Sequence, residues 1–247
     1  MSHSSAAERV SEAWIKATGR VEHPGAAEEP PIEGRHFSVA ISREAGTRGP
    51  AVARAVGQRL GWQVYDHELL ELVARELHVR AKLLDALDER HVTWLQECVE
   101  AFAAVPAVRE GKYMRHLVET MLSLAAHGRC ILVGRGAPFV LPPASTLRVR
   151  LVAPLEDRIA AVAHDQHVSR HEAARFVEQT DRERSHFVRL HFVRDVADPQ
   201  FYDLYLNTSQ FSIEQCADLI FEGLRQKSHG NVSPGGASRV ELALASA

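Results

Sequence analysis

Hydrophobic residues along the chain form short alternating runs separated by longer stretches of helical spacing. From Phe37 to Ile41, apolar residues alternate with small ones, which is typical of a strand covered on both faces. Four further short apolar runs predict strands at Gln63–Tyr65, Cys130–Val133, Leu147–Leu151 and Asp203–Leu206. Because helical patterns separate these runs, the sequence predicts an α/β fold with a three-layer, five-stranded, mostly parallel sheet.

Capping signals mark where several predicted helices begin. Pro50 and Pro154 fit the first turn of a helix, where the missing N–H group costs nothing. Two capping patterns begin later helices: Ser169 with Glu172, and Ser212 with Gln215. Further helices are predicted after the second strand, from about residue 81 to 102 and from Tyr113 to Ala126.

The composition of the two ends differs from that of the middle. Residues 21–35 are rich in Pro, Glu, Ala and Gly, and residues 228–238 are rich in Ser, Gly and Pro. We therefore expect a disordered N-terminal extension over residues 1–35, one folded domain over residues 36–227, and a disordered C-terminal tail over residues 228–247.

Composition and charge exclude several classes of function. With 45% hydrophobic and 25% charged residues, the 247-residue chain can bury one substantial core, and a net charge of −3 argues against bulk polyanion binding. The three cysteines are far apart and lack CxxC spacing. No run approaches the ~20 apolar residues that span a bilayer, and no signal region begins the chain, so we expect a cytoplasmic protein without membrane partners.

The segment after the first strand has features of a phosphate-binding loop. Gly46 and Gly49 allow the backbone to approach a phosphate, and the loop leads into a helix whose free N–H groups attract anions. The usual G-x-x-x-x-G-K-[ST] pattern has lysine and a hydroxyl where this chain has Gly49 and Pro50. Arg43 and Arg48 are candidates for the missing positive charge. An ordinary tight turn between strand and helix is the alternative.

Candidate binding groups follow two other predicted strands. Asp66 comes directly after the second strand, where it either faces a second substrate or caps the next helix. Arg135 lies between two glycines after the third strand, and its guanidinium could grip a phosphate bidentately. A structural arginine that reaches a helix C-terminus is the competing interpretation.

A third group of candidates lies between Thr180 and Asp195. This segment gathers four arginines within four helical turns: Arg182, Arg184, Arg189 and Arg194. Such a run is usually a solvated helix face. Its place before the last strand, however, is where a small kinase carries a mobile arginine-rich lid that supplies cations and excludes water. Nucleic-acid binding is disfavoured, because acidic residues interrupt the positive charge and no aromatic platform accompanies it.

From about Phe37 to Leu224, the chain resembles the cytidylate kinase-like family of P-loop nucleoside monophosphate kinases, in particular its branch with a degenerate phosphate loop. Six stretches carry the resemblance in order: Ile41–Gly49, Tyr65-Asp66, Ile131–Gly136, Ala153–Arg158, Thr180–Arg184 and Tyr202–Ser209. The resemblance implies a P-loop kinase fold with a helical monophosphate-binding region and an arginine-rich lid.

The resemblance also implies roles for individual residues. The ATP donor is assigned to Ser42, Arg43, Gly46, Thr47, Arg48 and Gly49. The nucleoside monophosphate is assigned to Asp66, Arg135, Arg189 and Arg194. The catalytic cations are Arg135, Arg182 and Arg184. Mg²⁺ is expected to be carried by the nucleotide phosphates, and we predict no metal site of the protein itself, because a helix boundary near Val168 separates His164 and His167 from His171.

Two classes of function remain open. One is a kinase that transfers the γ-phosphoryl group of ATP to a nucleoside monophosphate, with CMP or dCMP as the acceptor. The other is a catalytically impaired nucleotide-binding sensor or regulatory module, which the altered phosphate loop favours. Gly136 also stands where an aspartate is common in the family. Oligomeric state stays open, with the apolar helices between residues 83 and 124 as a candidate dimer surface.

Overall fold

The computed structural model describes residues 37–66, 68, 70 and 112–230. The predicted N-terminal extension, the predicted helix between residues 81 and 102, most of the helix predicted after the second strand and most of the predicted C-terminal tail lie outside these residues.

A five-stranded parallel sheet forms the centre of the described structure. Its strands are β1 (Ser38–Arg43), β2 (Gln63–Tyr65), β3 (Cys130–Val133), β4 (Thr146–Val152) and β5 (Leu204–Asn207). Their spatial order is β2-β3-β1-β4-β5, and every neighbouring pair is parallel. The predicted α/β fold is confirmed, with a sheet that is entirely parallel.

Helices flank this sheet on both faces. They are α1 (Gly49–Leu60), α2 (Lys112–His127), α3 (Ala137–Val140), α4 (Leu155–Gln166), α5 (Arg170–Phe192) and α6 (Ile213–Gly230), with a 3₁₀ turn at Pro199–Phe201. Both predicted caps are present. The Ser169 side chain and Glu172 form a reciprocal capping box, and Ser212 and Gln215 exchange hydrogen bonds at the start of α6.

Successive side chains of a strand point to opposite faces of the sheet, so the core residues of β1 belong to two different layers. Val39 and Ile41 of β1 pack with α1 and α6 on one face, whereas Ala40 packs with α2 and α3 on the other. The sheet lies between these two layers, as expected when helices cover both faces of parallel strands. The carboxyl ends of β1, β3 and β4 therefore lie side by side at one edge of the sandwich.

The boundaries of the later helices bear on two predictions. Helix α4 ends at Gln166 and α5 begins at Arg170, so the predicted break near Val168 is confirmed. Helix α6 continues to Gly230, past the predicted domain end at Lys227. Lys227 itself donates to the Thr146 carbonyl at 2.8 Å and to Asp203 at 2.7 Å, which fixes this helix to the sheet.

Among the helices that the structure describes, none is both long enough and apolar enough to cross a lipid bilayer.

Candidate functional site

The loop between β1 and α1 is a tight turn with two residues in the left-handed region. Gly46 has φ +82°, and a Cβ there would lie 2.5 Å from the backbone oxygen of Arg158. Only glycine fits such a position. Arg48, with φ 53°, is the residue that precedes α1, whose first residues Gly49 and Pro50 begin the helix. The helix N-terminus thus opens directly onto the loop.

Buried ionic contacts hold this loop in place. Arg158 of α4, which is 8% exposed, donates to the Ala45 carbonyl at 3.2 Å and lies 3.4 Å from Glu44. The same guanidinium donates to Asp181 of α5. Asp181 in turn accepts from the Ala45 N–H at 2.7 Å. These contacts join the loop to the helical hairpin formed by α4 and α5.

A cavity of about 250 Å³ faces the loop. Residues Arg43 to Pro50 form one wall, and Asp165, Phe176 and Arg184 contribute to the other. Backbone amides at a helix N-terminus together with arginine side chains are an arrangement suited to phosphate groups.

A larger cavity of about 440 Å³ lies at the carboxyl ends of β1, β3 and β4. Four arginines line it: Arg43, Arg135, Arg150 and Arg184. Aromatic side chains, including Phe139, Phe187 and His191, line another part. Because Arg43 and Arg184 line both cavities, the two cavities are neighbours at these two residues.

Positive charge accumulates at the residues that the two cavities share. Arg43 is 8% exposed, and burial together with the neighbouring Arg184 and Arg135 lowers its pKa to about 9, against the opposing attraction of Asp66. Burial also lowers the pKa of Arg184, whose Nη1 donates to the Arg43 carbonyl at 3.2 Å. Cations crowded in this way are poised to bind an anion.

The turn after β3 places Arg135 at the larger cavity. Gly134, Arg135 and Gly136 all have positive φ angles, of 85°, 50° and 77°. A Cβ on Gly134 would collide with the guanidinium of Arg43, so glycine lets that guanidinium lie against the turn. The Arg135 guanidinium stacks on Phe187, 5.3 Å from the ring centroid.

The structure brings only some of the predicted site residues together. Ser42, Arg43, Arg135 and Arg184 line the larger cavity, and Gly46, Thr47, Arg48 and Gly49 line the smaller one. Asp66 follows β2, and its charge acts on Arg43.

The other three predicted arginines line neither cavity. Arg182 and Arg189 are on an exposed part of α5, and Arg182 donates to Glu178 on the same helix at 2.6 Å. Arg194 stacks on Phe201, 5.0 Å from the ring centroid. Their predicted roles stay predictions.

Three residues of this region were not predicted from the sequence as functional. Arg158 and Asp181 hold the loop, and Arg150 lines the larger cavity from within β4. Arg148 and Arg150 alternate with apolar residues, which is typical of a strand, but this pattern gives no sign that Arg150 is buried.

The polar groups near the loop are already engaged with protein atoms. The Thr47 hydroxyl donates to the Glu44 carbonyl at 2.8 Å, while Glu44 and Asp181 both contact Arg158. Across residues 37–66 and 112–230, no group of three or more His, Cys, Asp or Glu side chains could hold a metal ion. The predictions that the protein has no metal site of its own and that nucleotide phosphates carry Mg²⁺ stay predictions.

Comparison with known proteins identifies similar sequences and one similar fold. Residues 38–210 match the cytidylate kinase-like family. The chain is 36% identical over 87 residues to a cytidylate kinase of Sulfolobus acidocaldarius, covering 34% of this chain and 46% of that protein. It is 27% identical over 136 residues to a uronate isomerase of Corynebacterium glutamicum, covering 54% of this chain and 26% of that protein. The chain thus spans less than half the length of each of these relatives.

The fold also has a counterpart among solved structures. An uncharacterized protein from Eubacterium ventriosum superposes with a TM-score of 0.61 at 18% sequence identity, covering 77% of this chain and 98% of that one. At this identity, the likeness concerns the fold alone.

Proposed function

The chain belongs to the cytidylate kinase-like family, and from that premise we propose that it transfers the γ-phosphoryl group of ATP to a nucleoside monophosphate, with CMP or dCMP as the acceptor. The observation that carries the proposal is the pair of cavities that share Arg43 and Arg184. Phosphoryl transfer requires a donor and an acceptor phosphate on either side of a common group of cations.

In this proposal the triphosphate of ATP binds in the smaller cavity. The backbone at the start of α1 lines this cavity through Gly46, Thr47 and Gly49, and the helix dipole there favours negative charge. Arg43 lies beneath the loop and takes the place of the lysine that the loop lacks. Arg48 is a second candidate for that charge, although its side chain is 53% exposed and lies 4.0 Å from Asp165.

The monophosphate binds in the larger cavity. Its phosphate group is held by Arg135, and Asp66 lies on the side of β2. The nucleoside occupies the aromatic part near Phe139 and Phe187, because planar rings pack favourably on such side chains.

The reaction joins the two sites. An oxygen of the acceptor phosphate attacks the γ-phosphorus, the bond from that phosphorus to the bridging oxygen of ADP breaks, and a nucleoside diphosphate forms. Arg43 and Arg184 lie where negative charge spreads in the transition state, and their positive charges would stabilise it. Arg182, Arg189 and Arg194 would join this group if α5 closes further over the bound nucleotides.

A second candidate function is a nucleotide-binding sensor that does not catalyse phosphoryl transfer. The altered loop favours it, because Gly49 and Pro50 stand where the usual pattern has a lysine for the phosphates and a hydroxyl for the Mg²⁺ ion. In that case the smaller cavity binds ATP, and no acceptor is phosphorylated.

Turnover distinguishes these two functions. ADP formation by the purified protein is measured with Mg-ATP and CMP, dCMP, UMP, AMP, GMP or no acceptor. The proposed kinase gives acceptor-dependent ADP formation that Arg135→Ala and Arg184→Ala each reduce by more than about a hundredfold. ATP binding without acceptor-dependent ADP formation would instead identify a sensor. The cytoplasmic location and the oligomeric state remain predictions that this assay does not address.

A further inference from the structure

A buried arginine of the central sheet contributes to the larger cavity, and within the part of the chain that the structure describes no acidic side chain forms an ion pair with it. Arg150 lies in β4 between the core residues Val149 and Leu151, and it is 7% exposed. Its Nη1 donates to the Ser42 hydroxyl at 2.6 Å, and its side chain lines the cavity beside Arg43. It therefore lies at the floor of the space assigned to the monophosphate.

Arg148, two residues earlier on the same strand, shows how an arginine on this face is normally compensated. Arg148 Nη2 lies 3.1 Å from Asp203, and its backbone N–H donates to the same carboxylate at 2.8 Å. For Arg150, by contrast, no carboxylate of the described residues lies within ion-pair distance. Burying a guanidinium without a counter-charge is costly.

The surroundings of Arg150 add to this cost. Its charge is one of the causes that lower the pKa values of Arg43 and Arg184, so the three guanidinium groups repel one another in the ligand-free protein. Across the described residues, Arg43 Nε is buried and donates no hydrogen bond. Such a cluster destabilises the ligand-free protein, and an anion that binds there would offset the repulsion.

We propose that Arg150 is a phosphate-binding residue of the larger cavity, where it holds the phosphate of the acceptor nucleotide from below while Arg135 holds it from the β3 turn. A guanidinium has several N–H donors, so the bond to Ser42 leaves others for phosphate oxygens. Ser42 fixes the side chain in this orientation. The identity of the acceptor rests on the proposed function, whereas phosphate binding by Arg150 rests on the cavity itself.

Two substitutions in the same strand test this proposal. Arg150→Met and Arg148→Met each remove one guanidinium from β4, but only the first residue lines the cavity. Calorimetry measures the dissociation constant of CMP, and thermal unfolding is followed with and without CMP or inorganic phosphate. We expect Arg150→Met to weaken CMP binding by about tenfold or more and to abolish stabilisation by phosphate. Without ligand, its unfolding midpoint should equal or exceed that of the wild type.

Arg148→Met should behave in the opposite way. It leaves Asp203 with fewer partners, so its unfolding midpoint should fall while its affinity for CMP stays that of the wild type. Arg150→Lys keeps the positive charge but loses the planar guanidinium, so its affinity for CMP should lie between those of the wild type and Arg150→Met. It also tests the proposal if Arg150→Met does not fold.

Unchanged CMP affinity in both Arg150 variants would overturn the proposal, as would a wild-type protein that neither CMP nor phosphate stabilises. The outcome is separable from that of the turnover assay. Stabilisation by phosphate that depends on Arg150, in a protein that phosphorylates no acceptor, would support the binding residue and refute the kinase.

Discussion

The carboxylate of Asp181 in α5 bridges the guanidinium of Arg158 in α4 and the backbone N–H of Ala45 in the phosphate loop. A single side chain of the helical hairpin thus fixes the conformation of the loop. The apolar cluster that includes Ala45, Ile159 and Val177 packs beneath this contact. Movement of α5 and the conformation of the loop are therefore coupled through Asp181.

Asp181→Asn should loosen the loop and destabilise the protein. The substitution leaves Arg158, whose side chain is 9% exposed, without the carboxylate that accepts from its Nη1. Because Glu44 still lies 3.4 Å from Arg158, the substitution removes only part of the compensating negative charge, and we expect a loss of about 1–3 kcal/mol in the free energy of unfolding. We also expect weaker ATP binding. Urea unfolding and calorimetric titration with ATP measure the two effects.

Glu178→Gln, one turn earlier on α5, is the matched control. Glu178 pairs with Arg182, and both side chains are more than two-thirds exposed, at 72% and 71%. Exposed pairs of this kind contribute less than about 0.5 kcal/mol. Equal stability losses in the two variants would show that the Asp181 contacts do not support the loop.

Gly134→Ala should weaken ATP binding, whereas Gly61→Ala should not. Both glycines have positive φ, of 85° and 65°, so an alanine at either position costs about 1 kcal/mol in backbone strain. At Gly61 a Cβ would meet nothing within 4 Å, whereas at Gly134 it would displace the guanidinium of Arg43. Because that guanidinium is the far end of a flexible side chain and can shift, we expect Gly134→Ala to lose about 1–2 kcal/mol of stability, and we expect the displaced Arg43 to bind ATP more weakly.

Chemical denaturation and ATP titration of both glycine variants check this expectation. If ATP affinity is unaffected in Gly134→Ala, then the position of Arg43 against the turn does not matter for the donor site.

Arg48 can be tested as the replacement for the missing lysine, and ATP binding can be measured separately from its effect on stability. Its φ of 53° is unfavourable for a side chain, so Arg48→Gly should raise the free energy of unfolding by up to about 1 kcal/mol. Arg48→Ala removes the charge but keeps most of the strain. If Arg48 replaces the missing lysine, both variants should bind ATP more weakly. If both variants bind ATP with wild-type affinity, then Arg43 is the residue that replaces the lysine. The burial of Arg43 in the wall of both cavities favours this second outcome.

Much of the fold could be predicted because its signals are local. The strand at Cys130–Val133 and the caps at Ser169 and Ser212 depend on residues within a few positions of one another. Hydrophobic alternation also placed Arg148 and Arg150 on one face of β4. What that face meets is decided by residues distant in the chain, namely Asp203 for the first and Ser42 for the second.

The candidate site could be predicted only in part for the same reason. Helical spacing shows that Arg182 and Arg189 share a face of α5, but it does not show which face packs against the loop. That face carries Asp181 and Arg184, whose contacts are with Ala45 and Arg43, more than a hundred positions earlier. Loop and cap chemistry can be read from a sequence, whereas convergence between distant segments cannot.

Asp203 should make the stability of the protein dependent on pH. Burial would raise the pKa of Asp203, but hydrogen bonds from Arg148 and Lys227 outweigh it and hold the pKa below 3.8, the ordinary value. A carboxyl group with a lowered pKa in the folded state contributes stability that is fully present above about pH 4 and is lost as the pH falls through the folded-state pKa. Asp203→Asn should therefore cost about 1–3 kcal/mol at pH 7, and this difference from the wild type should shrink below pH 4.

Urea unfolding at a series of pH values between about 3 and 7 measures this difference. Asp218→Asn is the control, because Asp218 pairs with Arg59 at the surface and both side chains are more than two-fifths exposed, at 55% and 42%. It should change stability by less than about 0.5 kcal/mol at any pH. A deficit in Asp203→Asn that does not shrink at all between about pH 5 and pH 3 would mean that the charge of the carboxylate does not contribute, because the carboxyl of the unfolded wild type takes up a proton in this range whereas the amide does not titrate.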